Sequence, residues 1–273
     1  MHIHALDTYR AGQSLVHRLD ARVKLVIAVV FILTAALLPE RSWLAYGLLQ
    51  ALLLGATAAS RVGVGLVQRR AGVALPFTLA ALTVVFVTPG RVLFSIPVPG
   101  GGWAVSDAGL LRFLSIVVRS YLSIQAAVLL AATTQFPALL QAMRALGIPR
   151  TLVAIGSFLY RYLFVLADEA QRLLRAREAR SAHPPQAERA RRPGGSLPWR
   201  ARVTGGMAGS LFIRSYERSE RIYTAMLARG YDGEIRSFSL PAMRPVDWLW
   251  GAAAILALAV ILVLSRWGVR WGT

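Results

Sequence analysis

The apolar residues of this chain are gathered into blocks, and the lengths of those blocks restrict what it can fold into. Val23–Leu38 is an unbroken apolar run, stopped by Pro39, Glu40 and Arg41. Trp43–Ala59 follows after a link short enough for a helical hairpin, with Trp43 placed as an interface anchor. Ala71–Thr88 is a third run, with Pro76 near its start and Pro89-Gly90 closing it. Leu110–Thr133 is a fourth and carries Arg112, Arg119 and Gln125, and Trp248–Leu264 is the last. Each approaches the ~20 residues a helix needs to cross a bilayer core. A helix also satisfies its own backbone there, where no water can. The expected fold class is an all-α membrane protein with about five transmembrane helices, to which long cytoplasmic coupling helices are added below.

Charge orients the spans. The chain has 31 Lys+Arg against 13 Asp+Glu, a net charge of +18, and Lys24 is its one lysine. In a soluble chain such a balance points to nucleic acid. Beside membrane spans it reads as basic loops held inside, near anionic lipid, so the bilayer is the expected partner and nucleic acid is not. The N-terminal arm holds Arg10, Arg18, Arg22 and Lys24, and the 60–70 loop holds three Arg. The Pro/Gly-rich 89–109 loop holds one, and the stretch 134–245 holds eighteen. Four crossings from a cytoplasmic N-terminus put every Arg-rich segment inside and the poor loop outside. The first 22 residues are polar and charged, against the pattern of a cleavable secretory signal.

The expected organisation is a cytoplasmic arm over 1–22, a four-span region over 23–133, a coupling-helix region over 134–245, and a final span with the C-terminus over 246–273. Thr151–Ala167 is apolar enough to span, but it contains Arg161 and is bounded by Arg150 and Asp168-Glu169. If it crossed, the larger basic block would face outward. It is expected instead to lie against the membrane or a partner. Two long helices, roughly 150–182 and 201–229, are expected around a Pro/Gly-containing link.

Those two helices end alike. The segments from Arg172 to Ser181 and from Arg221 to Gly230 both read R-x3-A-x2-A-R-[SG]. Small residues let backbones approach closely, and an Arg near a helix end offers a planar five-donor fork. Two alike ends suit two alike docking sites, as a two-fold symmetric partner would offer. Chance in an Ala/Arg-rich chain, with Gly230 acting only as a helix cap, is the plainer alternative. On the second helix Arg214, Arg218, Arg221 and Arg229 are expected along one side, and Met207, Leu211, Ile222 and Met226 along another.

Other chemistry is thin. His2 and His4 near Asp7 are weak candidates for a divalent metal, while His17 and His183 read as structural or solvated. Arg112 can snorkel to the outer end of its span. Arg119 lies deeper and is expected to face protein, with the bundle and a partner subunit both open as its pair. The chain lacks cysteine, a phosphate-binding G-x4-G-K-[ST], an H-E-x-x-H and a G-x-S-x-G, and its spans are poor in Asp and Glu. An intramembrane enzyme or an ion-coupled carrier is thereby disfavoured.

The arm from Ser14 to Leu25, S-L-V-H-R-L-D-A-R-V-K-L, resembles the S-P-x-H-R-L-D-P-R-x-K-L signature of the transmembrane T component of energy-coupling-factor (ECF) transporters. Ala179-Arg180-Ser181 and Ala228-Arg229-Gly230 look like the two coupling motifs of that family. Tyr231-Asp232-Gly233 and the start Leu6-Asp7-x-Tyr9 are similar to its cobalt-type branch, CbiQ. Leu15 and Ala21 stand where the family commonly has Pro, and Ser181 where it commonly has Gly. The resemblance implies a non-catalytic scaffold in a prokaryotic cell membrane. Its coupling motifs would dock on two ATP-binding cassette ATPases, with Arg172, Arg214, Arg218 and Arg221 as further contacts, and its membrane part would hold a substrate-capture subunit. ATP would be bound by the ATPases and cobalt, or nickel, by the capture subunit, leaving no cofactor in this chain. A T component serving vitamin uptake, and a stand-alone enzyme or carrier, are the rival readings.

Overall fold

The computed structural model describes residues 9–72, 76, 79–96, 103–181, 197–233 and 242–271. Helix α1 is Leu15–Arg18, α2 Ala21–Leu37, α3 Trp43–Ser60, α4 Val64–Gly72 and α5 Thr83–Val87. A hairpin of β1 (Val92–Ile96) and β2 (Trp103–Ser106) follows. Then come α6 (Asp107–Thr133), α7 (Phe136–Ala145), α8 (Arg150–Ser181), α9 (Leu197–Ala228) and α10 (Pro245–Trp271). The chain divides into two compact units, Met1–Leu146 with Leu240–Thr273, and Gly147–Ser239.

The all-α membrane class holds. Among the described residues, four helices are long and apolar enough to cross a bilayer: Trp43–Ser60, Asp107–Thr133, Arg150–Arg180 and Pro245–Trp267. Three of them contain expected spans, and the first expected span forms the 17-residue α2. One feature differs from expectation. The described residues of the third run do not make one helix: they fall into the end of α4, a helical Pro76, a 3-10 turn over Leu79–Leu82 and the five-residue α5. Within the long helix expected over roughly 150–182 lies the apolar segment 151–167. It is the first half of the unbroken 32-residue α8, about 48 Å long at ~1.5 Å per residue.

In the first unit, α2, α3, α6 and α10 enclose the core. Phe31, Ala35, Leu38, Tyr46, Leu49, Leu122, Ala126 and Leu258 pack together there. Its alanines let helices approach closely where the hydrophobic effect between helices is absent. Apolar side chains point outward along α10, from Trp248 through Leu256 and Val260 to Trp267, as lipid contact requires. The two tryptophans are about 28 Å apart along the helix, close to the ~30 Å hydrocarbon thickness.

Two cations fasten α2 to α6. Lys24 is buried and donates from Nζ to the carbonyls of His17 (3.3 Å) and Thr133 (3.1 Å). Arg119 donates from Nη2 to Leu38 O (2.6 Å), from Nη1 to Ala36 O (3.4 Å) and from Nε to the Tyr46 hydroxyl (2.7 Å). The bundle therefore supplies partners for Arg119. These are helix-end carbonyls, which have no intrahelical donor and favour positive charge. Lys24 and Leu38 are fourteen residues apart, as are Arg119 and Thr133, so the two clamps hold one antiparallel register. Arg112 instead meets Glu40 at 3.1 Å, with both side chains about half exposed. A polar chain joins α3, α4 and α6 between the clamps. Gln50 donates to Gln125 Oε1 (3.2 Å), Gln125 to Gln68 Oε1 (3.0 Å), and the Tyr121 hydroxyl to the same Gln68 oxygen.

The start of α6 is set by contact rather than by propensity. Ser106 caps it, accepting from Gly109 N at 3.0 Å and donating to Thr88 O at 2.7 Å. A Cβ on Gly109 would stand 2.5 Å from the Val85 carbonyl oxygen, so only glycine lets α5 lie this close.

Replacing Arg119 by Ala removes the donor to the Ala36 and Leu38 carbonyls, leaves the Tyr46 hydroxyl only its bond to Pro39 O (3.2 Å), and should cost about 1–3 kcal/mol. Arg112→Ala, which removes an exposed pair, should cost about 0–1 kcal/mol. Thermal unfolding of both variants in detergent checks this, and equal lowering of the two midpoints would contradict the clamp.

Candidate coupling site

The arm that precedes α2 has a structural role in each of its marked residues. Ser14 caps α1, and its hydroxyl lies 2.7 Å from His17 Nδ1, while His17 Nε2 lies 3.0 Å from Arg10 O. A carbonyl only accepts, so Nε2 carries a proton. Asp20 caps α2 by accepting from Arg22 N at 2.8 Å. Asp20 N donates to Oδ1 of the buried Asp247 (3.3 Å), and Arg244 N donates to its Oδ2 (3.1 Å). With Arg10 N bonded to Ala132 O (3.0 Å) and Lys24 to Thr133 O, the arm ties the end of α6 to the start of α10. Neither Asp247 nor Lys24 stood out in the sequence as a tie, because their partners are backbone groups far along the chain.

The second unit carries the paired motif on α8 and α9. Ala179 and Arg180 lie in the last turn of α8 and are exposed, and Ser181 is its last residue. Ala228 ends α9, Arg229 caps it, and Gly230 follows, all three exposed. Gly230 has φ +79°. Its N–H donates to Leu227 O at 2.9 Å and Tyr231 N to Met226 O at 3.0 Å, a double cap that closes the helix. The capping role weighed for Gly230 is thus real, and it turns the chain directly after Arg229. The two ends are alike in sequence and differ locally: Arg180 stands inside a helix, whereas Arg229 stands at a turn.

The remaining arginines separate. Arg214 Nη1 lies 3.2 Å from Glu169 Oε1, and Arg172 Nη2 lies 3.8 Å from Glu169 Oε2. One carboxylate on α8 therefore occupies two arginines expected as docking contacts and ties α8 to α9. Arg221 is exposed. Arg218 was expected beside Arg214, but it falls on the half-buried line Met207, Leu211, Ser215, Arg218, Ile222, Met226. At 100° per residue its direction is only about 20° from that of Leu211. The expected apolar line is the less exposed side of α9, and no residue of α9 is fully buried. Phe212, Ile213, Tyr216, Tyr223 and Leu227 are all exposed. On α8, Leu152, Ile155, Leu159 and Leu163 form an exposed stripe at helical spacing. His2, His4 and Asp7, and also His183, lie outside the described residues.

Comparison with known proteins places this geometry in a family setting. A family model described as "Cobalt transport protein" (CbiQ) matches residues 12–239. The chain is similar to cobalt transport protein CbiQ of Rhodobacter capsulatus, 31% identical over 188 residues, which is 67% of this chain and 72% of that protein. It is also similar to the energy-coupling factor transporter transmembrane protein EcfT of Brevibacillus brevis, 26% identical over 96% of this chain and 97% of the other. The EcfT of Acidaminococcus fermentans is 28% identical over 97% of each.

Glu169→Gln should loosen α9 against α8 with little loss of stability, because its arginine partners are well exposed and such pairs contribute about 0.2–1 kcal/mol. The chain has no cysteine, so spin labels on Ala179→Cys and Ala228→Cys report only these two ends. Pulsed electron-resonance distances should broaden in the Gln variant, and an unchanged distribution would show that Glu169 does not brace the helices.

Proposed function

The chain belongs to the CbiQ cobalt transport family as a transmembrane T component of the ECF type, and on that premise we propose that it is the non-catalytic scaffold coupling two ATPases to a substrate-capture membrane subunit. The observation that carries the reading is the pair of exposed Arg ends on two 32-residue helices joined through Glu169. Arg180 and Arg229, with Ala179, Ser181, Ala228 and Gly230, are the contacts to the ATPase pair. Small residues beside each Arg let the partner backbone come close, while the guanidinium fork engages carboxylates or carbonyls. The exposed apolar residues of α8 and α9 suit the capture subunit or lipid, which has no water to offer them.

Such a scaffold transmits force by being stiff where it is gripped. Nucleotide binding draws the ATPases together, each pulls on one Arg end, and the helices carry the displacement toward the membrane. Arg172 and Arg214 serve the brace in this scheme and Arg221 remains a contact. The substrate is cobalt, with nickel as its chemical neighbour, and the metal is handled by the capture subunit. The arm and the Arg-rich coupling region face the cytoplasm of a prokaryotic cell, as the arginine count implies.

Arg180→Ala with Arg229→Ala should leave the protein inserted and lose the ATPases on co-purification. Each desolvated Arg contact is worth about 2–4 kcal/mol, or roughly thirtyfold or more in affinity. ATP-dependent uptake of radiolabelled cobalt by the reconstituted complex should fall with it. Normal co-purification and uptake by the double variant would overturn the assignment, and uptake of another substrate alone would overturn cobalt.

A further inference from the structure

A cavity of about 350 Å³ lies where the N-terminal arm meets the turn after α3. Its lining includes Arg10, Gly12, Ser14, His17, Ser60 and Arg61. The two guanidiniums belong to segments fifty residues apart in sequence, and no carboxylate pairs with either among the described residues. Most of the other lining groups are already engaged. His17 is held by Ser14 and Arg10 O, and the Ser60 hydroxyl donates to Thr57 O at 2.7 Å and accepts from Val62 N at 3.3 Å. The backbone N–H groups of Ala11, Gly12 and Gln13, which also line the cavity, have no acceptor among the described residues. The charged groups left over are two cationic forks, with the Gln13 side-chain amide beside them.

We propose that this cavity binds the phosphate group of an anionic ligand. Arginine forks match the spacing of phosphate oxygens. Depth supports the choice. Arg61 caps the C-terminal end of α3, a helix long and apolar enough to cross the bilayer, so the cavity lies at the level where headgroup phosphates lie. The C-terminal partial charge of α3 opposes an anion, but it amounts to roughly half an elementary charge against two full ones. Arg61 holds its place through a left-handed backbone (φ +55°) with its N–H on Ala58 O at 3.1 Å. A bound phosphate would join the arm to the α3–α4 turn, between which the described residues lining the cavity make no side-chain hydrogen bond.

The test is titration of the full-length protein in detergent, followed by native mass spectrometry. One arm uses phosphatidylglycerol and the other inorganic phosphate, with diacylglycerol, which has no phosphate, as the blank. Arg10→Gln with Arg61→Gln should weaken binding about tenfold to thirtyfold, as the loss of two near-surface cations implies. Arg69→Gln with Arg70→Gln removes the same charge from a nearby exposed helix end outside the cavity and should change binding little. This pattern with phosphatidylglycerol identifies a lipid headgroup as the ligand, and the same pattern with inorganic phosphate alone identifies a soluble one. Equal loss in the two double variants, or binding indifferent to both, overturns the proposal. All four arginines are exposed, and an unchanged unfolding midpoint confirms that the variants remain folded.

Discussion

A membrane helix satisfies its backbone everywhere except at its ends, and the architecture of this chain follows from how those ends are met. Lys24 takes the carbonyls at the close of α1 and α6, and Arg119 takes those at the close of α2. Each cation would be costly in an apolar setting without partners, and each carbonyl would be costly without a donor. Joined, they fix which stretch of α2 lies beside which stretch of α6. Tyr46, Gln50, Gln68 and Gln125 then find their hydrogen bonds along that register, and Asp247 brings α10 to the same end as the arm. The core of small and aliphatic side chains fills the remaining space.

The second unit is built on the opposite plan. Its two long helices bury little of themselves, keep their motif arginines exposed, and are joined by Glu169, which lies between Arg172 and Arg214. Such an arrangement gains little stability from within and leaves most of its surface for partners. A clamped bundle and a sparsely buried helix pair suit the proposed scaffold role, which asks the second unit to offer its surface to partners.

Much of this was legible in sequence, for reasons that can be named. Apolar run length located α2, α3, α6 and α10 because hydrocarbon thickness dictates it. It failed over Ala71–Thr88, where composition matched a span but the described residues do not form one helix. The long helix expected over roughly 150–182 is α8, which runs unbroken past Asp168 although polarity changes there. The repeated R-x3-A-x2-A-R-[SG] pattern marked both exposed ends, and the cap weighed for Gly230 is present beside its role in the pattern. The Arg row on α9 was read one residue too wide, since Arg218 falls on the half-buried line with Leu211 and Ile222. Arg119 stood out as facing protein, but the ties made by Lys24 and Asp247 were hidden, because a side chain that bonds a backbone carbonyl or amide leaves no pattern in composition. The arm signature was visible only as a resemblance, and its physical purpose emerged with the contacts of Ser14, His17, Asp20 and Lys24.

The central claim is that the two Arg ends grip two separate ATPase subunits. Photo-crosslinking from Ala179 and from Ala228 in the intact complex tests it most directly. A chain carrying both probes should join to two ATPase copies at once, one through each helix end. Crosslinks from one position only, or from neither, would contradict a two-point coupling device.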